Sequence, residues 1–107
     1  MIQILISKHN NEYSSIKAFG HAEYDDYGRD IVCSAVSVLI INTANSLEQF
    51  TNDLILAETY EDGTTEILLH EHPSKEAVLL MDSLILGLEG IQNQYSKKYL
   101  SVEYKEV

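Results

Sequence analysis

Ile31-Val-Cys-Ser-Ala-Val-Ser-Val-Leu-Ile-Ile-Asn-Thr-Ala-Asn-Ser-Leu-Glu-Gln-Phe50 runs for twenty residues without a glycine or proline. Its β-branched residues at Ile31, Val32, Val36, Val38, Ile40 and Ile41 favour a strand by propensity alone. Length and spacing decide the other way. Val36, Leu39, Ile40, Thr43, Leu47 and Phe50 recur at helical intervals, and Ser34, Ser37, Asn45 and Glu48 form a polar stripe between them. A buried helix over 31–50 is predicted, and the remaining elements arrange themselves around it.

Before this helix, Ile2, Ile4 and Ile6 alternate with Gln3, Leu5 and Ser7, the period of a strand, and His9-Asn10-Asn11-Glu12 is a turn leading into a second strand from Ser14 to Gly20. After it, Leu54 to Tyr60 and Thr65 to Glu71 are β-rich runs joined through Asp62-Gly63, which reads as a hairpin. Ser74, following Pro73, caps a second helix with Ala77, Leu80, Met81, Leu84, Leu88 and Ile91 on one face and an end near Gln94. Tyr99 to Lys105 alternates as a last strand. The order ββαββαβ predicts one α+β domain spanning residues 1–107, a two-layer sandwich whose mostly antiparallel sheet carries two helices on one face. The other sheet face is left open and favours a homodimer.

At 107 residues the chain suits one domain that buries roughly two-thirds of its unfolded surface. Seven Lys and Arg against seventeen Asp and Glu give a net charge of −10, which repels phosphate and points to a basic partner instead of nucleic acid. No apolar run is read as long enough to span a bilayer, and the N-terminal residues read as a strand, not a signal peptide. The single cysteine, Cys33, excludes an internal disulfide and suits the cytoplasm. His70-Glu71-His72 is a weak metal spacing at an exposed strand end, so neither a metal nor another cofactor is expected.

The chemistry concentrates between Gly20 and Cys33. Cys33 falls in the first turn of the long helix, where free N–H groups and the macrodipole favour a thiolate. His21, at the end of the second strand, is positioned to form a dyad with it if the intervening loop folds back. The first-turn N–H groups are candidate donors to an oxyanion. Asp30 is either the helix N-cap or the group that orients His21. Glu23-Tyr24-Asp25-Asp26-Tyr27-Gly28 offers three carboxylates and two aromatic rings, and the loop from Ala22 to Arg29, with little to bury, is expected to be poorly ordered without a ligand. A non-catalytic acidic interaction module and a redox-sensing thiol protein are alternatives on the same residues.

Gly20-His21-Ala22, a short loop, and then Gly28-Arg29-Asp30-Ile31-Val32-Cys33-Ser34-Ala35-Val36-Ser37 resemble the signature of the ribosomal-processing cysteine protease (Prp) family. Ser34 stands where many members have Ala. The resemblance extends over the whole chain in length, element order and acidity. It implies a cytoplasmic, homodimeric thiol endopeptidase that removes the N-terminal extension of large-subunit ribosomal protein twenty-seven, cutting after a Phe-rich segment and before Ala. By the same resemblance Cys33 is the nucleophile, His21 the general base, Asp30 and Ser37 supporting residues, and Ala22 to Arg29 a mobile segment that orders around substrate.

Overall fold

The elements follow the expected order, β1 (Ile2–His9), β2 (Glu12–Phe19), α1 (Ile31–Phe50), β3 (Ile55–Thr59), β4 (Thr65–Leu69), α2 (Lys75–Tyr95) and β5 (Leu100–Glu106), in a computed structural model that describes residues 1–26 and 29–107. Asn10 and Asn11 both take positive φ, 49° and 64°, so a two-residue turn closes the first hairpin. That tight turn starts β2 at Glu12, two positions ahead of the expected Ser14. Strands β3 and β4 are shorter than the hydrophobic runs that predicted them, because Leu54, Tyr60, His70 and Glu71 lie beyond the paired residues.

The sheet order is β3-β4-β2-β1-β5. The pairs β1–β2, β2–β4 and β3–β4 are antiparallel, while β5 runs parallel to β1 with Leu100 opposite Ile2 and Val102 opposite Ile4. A parallel neighbour requires a crossover, and α2 provides it. The fold is thus α+β with a mixed, mainly antiparallel sheet.

The inner face presents Ile2, Ile4, Ile6, Ile16, Ile67 and Leu100, all buried in one core with the helical stripes. Helix α1 contributes Val32, Val36, Ile40, Thr43 and Leu47, and α2 contributes Ala77, Met81, Leu84, Ile85 and Leu88. Each fully buried Leu or Ile side chain contributes about 2 kcal/mol by leaving water, so these stripes outweigh the β-propensity of α1. Phe50 departs from the expected stripe and is 71% exposed. Phe50 keeps the angular position of Val32 on the helix, but it is the last residue of α1 and the chain leaves at the Thr51 C-cap, so its side chain lies past the end of the core. By length and composition α1 is apolar enough to cross a membrane, but its buried stripe packs into the core against the sheet and α2.

Residues on the outer face, including Leu56 and Leu68 beside Lys17 and Glu66, are uncovered in the single chain. At its edge, Gly20 has φ +88°, and a Cβ there would lie 2.4 Å from the Met1 carbonyl oxygen. The end of β2 passes the start of β1 too closely for any side chain. Gly90, in contrast, is an exposed position inside α2 with nothing near its missing Cβ. Gly20→Ala is therefore expected to lower unfolding stability by at least about 2 kcal/mol. Gly90→Ala should raise it by about 0.5–1 kcal/mol. Urea denaturation of the two variants checks both signs.

Candidate active site

Beyond Gly20 the chain leaves the sheet and returns to α1 through a loop held at several points. Ala22 is 2% exposed, and its backbone N–H donates to the Cys33 Sγ at 3.5 Å. The Tyr24 N–H donates to Asp30 Oδ2 at 3.0 Å. The Tyr24 ring meets those of Tyr95 and Tyr99 edge to face, with centroids 5.4 and 5.1 Å away. The first part of the loop is thereby packed onto the end of α2, contrary to the expectation that it has little to bury. Tyr27 and Gly28 lie outside the described residues.

Asp30 is the N-cap of α1. Its Oδ1 accepts from the N–H groups of Val32 and Cys33, each at 3.0 Å, and the Ser34 N–H and Oγ both donate to the Asp30 carbonyl at 3.1 Å. Of the two readings of Asp30, the cap is the observed one, and no hydrogen bond joins its carboxylate to the His21 ring among the described residues. Burial alone would raise this carboxyl, but the N–H groups of Cys33 and Tyr24 outweigh it and hold it below its ordinary 3.8.

Cys33 is half-buried. Burial pushes its thiol above the ordinary 9.0; the Ala22 N–H pulls it back, and the neighbouring Asp30 carboxylate adds to the rise. The thiolate expected from a helix start is not favoured in the resting molecule. The reason is the cap: its negative charge sits on the same N–H groups whose positive end was to stabilise sulfur. The same occupancy takes the N–H groups of Val32 and Cys33 out of service as free oxyanion donors.

His21 is exposed at the mouth of a groove of about 900 Å³ that it shares with Cys33. Asp30 and Ser37 also line the groove, with Glu23 and Asp25 on the loop side. Among the described residues no hydrogen bond links the His21 ring to the thiol. Val38 and Ile41, exposed on α1, and Phe19 supply apolar wall, and the β3–β4 hairpin closes the far end through Thr59, Gly63 and Thr65. Tyr24 and Asp26 are not among its lining residues: Tyr24 is turned to the tyrosine pair, and the Asp26 backbone carbonyl accepts the Arg29 N–H at 2.9 Å. The contributions of Val38, Ile41 and the Ala22 N–H were missed from the sequence, where exposed aliphatic residues and a backbone amide leave no signal. Among the described residues no three His, Cys, Asp or Glu side chains gather as metal ligands, and His72 instead bonds Glu12 at 2.9 Å.

An α+β fold that presents one cysteine at a helix start, with a histidine on the same groove, is an arrangement that suits a cysteine protease. The family model described as Cysteine protease Prp matches residues 1–100, and the chain belongs to that family. It is 28% identical over 101 residues to the ribosomal processing cysteine protease Prp of Bacillus subtilis, covering 89% of this chain and 90% of that protein. It is 27% identical over 88 residues to the Staphylococcus aureus protein of the same name, covering 80% and 81%. The crystal structure of the S. aureus protease with a covalently linked product peptide has the same fold, with a TM-score of 0.91 at 23% identity over 98% of this chain and all of that one. SMU.848 from Streptococcus mutans matches with a TM-score of 0.84 at 26% identity, covering 100% of this chain and 96% of that one.

The upward displacement of the thiol has a direct consequence for reactivity. Alkylation of Cys33 by iodoacetamide is expected to keep rising with pH beyond the ordinary thiol range, about tenfold per unit until the thiol ionises. A rate already level at neutral pH would reveal a resting thiolate.

Proposed function

We propose that this chain is an endopeptidase that removes the N-terminal extension from the precursor of large-subunit ribosomal protein twenty-seven, with Cys33 as nucleophile and His21 as general base. The observation that carries the reading is that Cys33, the one cysteine of a cysteine protease, shares its groove with His21. The relatives from B. subtilis and S. aureus are named ribosomal processing proteases, and an S. aureus structure holds a substrate peptide. The groove's chemistry suits such a substrate. Val38, Ile41 and Phe19 offer apolar surface to a Phe side chain, and Glu23 and Asp25 face a basic segment within a chain of net charge −10.

In the proposed reaction the His21 imidazole takes the thiol proton as sulfur attacks the scissile carbonyl carbon. The C–S bond forms and the carbonyl π pair moves onto oxygen. Collapse of this intermediate restores the C=O bond and breaks the C–N bond, and the leaving amine takes the proton from the imidazolium. Water then attacks the thioester carbon with His21 again accepting a proton. The C–S bond breaks, the carboxylic acid departs, and the proton returns to sulfur. Burial and the Asp30 carboxylate push the Cys33 thiol up, so general-base assistance from His21 accompanies the attack. Ser37, one turn after Cys33 on the groove, supports the bound peptide, and Asp30 supports the site as cap. The glutamate and aspartate of the loop act by long-range attraction, and the open outer sheet face serves a homodimer in the cytoplasm.

Incubation with the full-length precursor, followed by mass spectrometry of the product N-terminus, tests the reading. The expected product begins with Ala directly after the Phe-rich segment. Cys33→Ala and Cys33→Ser should abolish cleavage with unchanged circular dichroism, and His21→Ala should lower kcat by at least about 100-fold. Added salt should raise KM for the basic precursor, whereas the loss from replacing its Phe by Ala should persist at every ionic strength. Cleavage by Cys33→Ala would overturn the assignment.

A further inference from the structure

We infer that the backbone N–H of Ala22 is the donor that stabilises the oxyanion in this reaction, an inference that rests on Cys33 being the nucleophile. The argument begins with which donors near the sulfur are free. At the start of α1 the N–H groups of Val32 and Cys33 both point to Asp30 Oδ1 at 3.0 Å, and that of Ser34 to the Asp30 carbonyl at 3.1 Å. An oxyanion placed there would meet a carboxylate already holding the same hydrogens, and the two negative charges repel. Helix α1 therefore gives the sulfur its position without giving the oxyanion a site.

The Ala22 N–H comes from the opposite side, the end of β2, and donates to Sγ at 3.5 Å. When sulfur attacks, its developing negative charge is consumed in the C–S bond and reappears on the carbonyl oxygen, one bond beyond the attacked carbon. A donor already aimed at sulfur lies next to that oxygen and follows the charge with little reorganisation, which is the condition for effective electrostatic stabilisation. The amide is held in this direction from both sides. Gly20 at φ +88° packs against Met1, the Ala22 methyl is buried, and the Tyr24 N–H is tied to Asp30 Oδ2 at 3.0 Å. Asp30 is thus a positioning residue that acts through the loop it fastens.

Because Cys33 is the one cysteine, the full chain can be assembled by ligating a synthetic 1–32 segment to a recombinant segment beginning at Cys33. Replacing Ala22 by L-lactic acid in the synthetic part turns its amide into an ester and removes only that donor; the same assembly with the natural amide is the control. The ester chain is expected to lose about 100-fold in kcat with little change in KM, and a peptide aldehyde, whose hemithioacetal carries the same oxygen, should bind weaker by a similar factor. Affinity for the cleaved product peptide should be unchanged. A kcat close to the control would overturn the proposal, as would full recovery of kcat at a pH where the thiol ionises unaided, since that would make the N–H a thiolate stabiliser only. Asp30→Ala gives a second reading that does not depend on synthesis. It frees the first-turn N–H groups but releases the Tyr24 tie, so kcat should fall; a kcat that holds or rises would show that the helix start is the oxyanion site after all. Cys33→Ala assayed alongside separates failure of this inference from failure of the nucleophile assignment.

Discussion

The carboxylate of Asp30 accepts three backbone N–H groups from two different parts of the chain, Val32 and Cys33 in the first turn of α1 and Tyr24 in the loop before it. Without those bonds the helix start would have unpaired donors in a part-buried position, and the loop would have no fixed relation to the cysteine. Substituting an N-cap typically costs about 1 kcal/mol, which makes Asp30 a modest contributor to stability. Its larger effect is geometric. By fixing Tyr24 and Cys33 to one carboxylate it brings the Ala22 N–H onto the sulfur and sets the floor of the groove.

The sheet supplies the other half of that geometry. Because β2 pairs antiparallel with β1, with Phe19 opposite Gln3, the end of β2 runs past Met1, and only a glycine fits at position 20. The chain leaves the sheet there in a left-handed conformation and turns toward α1. Tyr99, directly ahead of β5, and Tyr95, at the end of α2, receive the Tyr24 ring, so the crossover that makes β5 parallel also anchors the loop. Topology and site are one arrangement in this sense: moving the last strand would remove two of the three rings that hold the loop.

Element order was legible because periodicity and turn chemistry agree along nearly the whole chain. The period-two isoleucines of β1, the Asp62-Gly63 turn and the Ser74 cap each name their element locally. Helix α1 was the one conflict between propensity and pattern, and its buried stripe resolves it, with Phe50 misplaced because a stripe cannot be extended to a helix end where the chain departs. The direction of β5 was not legible, since alternation of Leu100, Val102 and Tyr104 is the same in either sense. At the site, the sequence singled out Cys33, His21 and Asp30, and the structure brings all three to one groove. The tyrosine cluster joins residues more than seventy apart, and the amide of Ala22 carries no sequence letter of its own, so neither was readable.

A helix start is ordinarily a good place for a thiolate, and this one is good only in part. An acidic cap stabilises the helix by satisfying its donors, but it puts a negative charge where the sulfur would otherwise find a positive field, and burial raises the thiol in the same direction. Stability of α1 and readiness of Cys33 are therefore opposed at Asp30. What remains on the favourable side is the Ala22 N–H, which belongs to the loop and not to the helix. The environment of the sulfur is thereby made to depend on loop geometry, through Gly20 at one end and the Tyr24 ring and amide at the other, so changes at those distant points reach Cys33 without altering the helix that carries it.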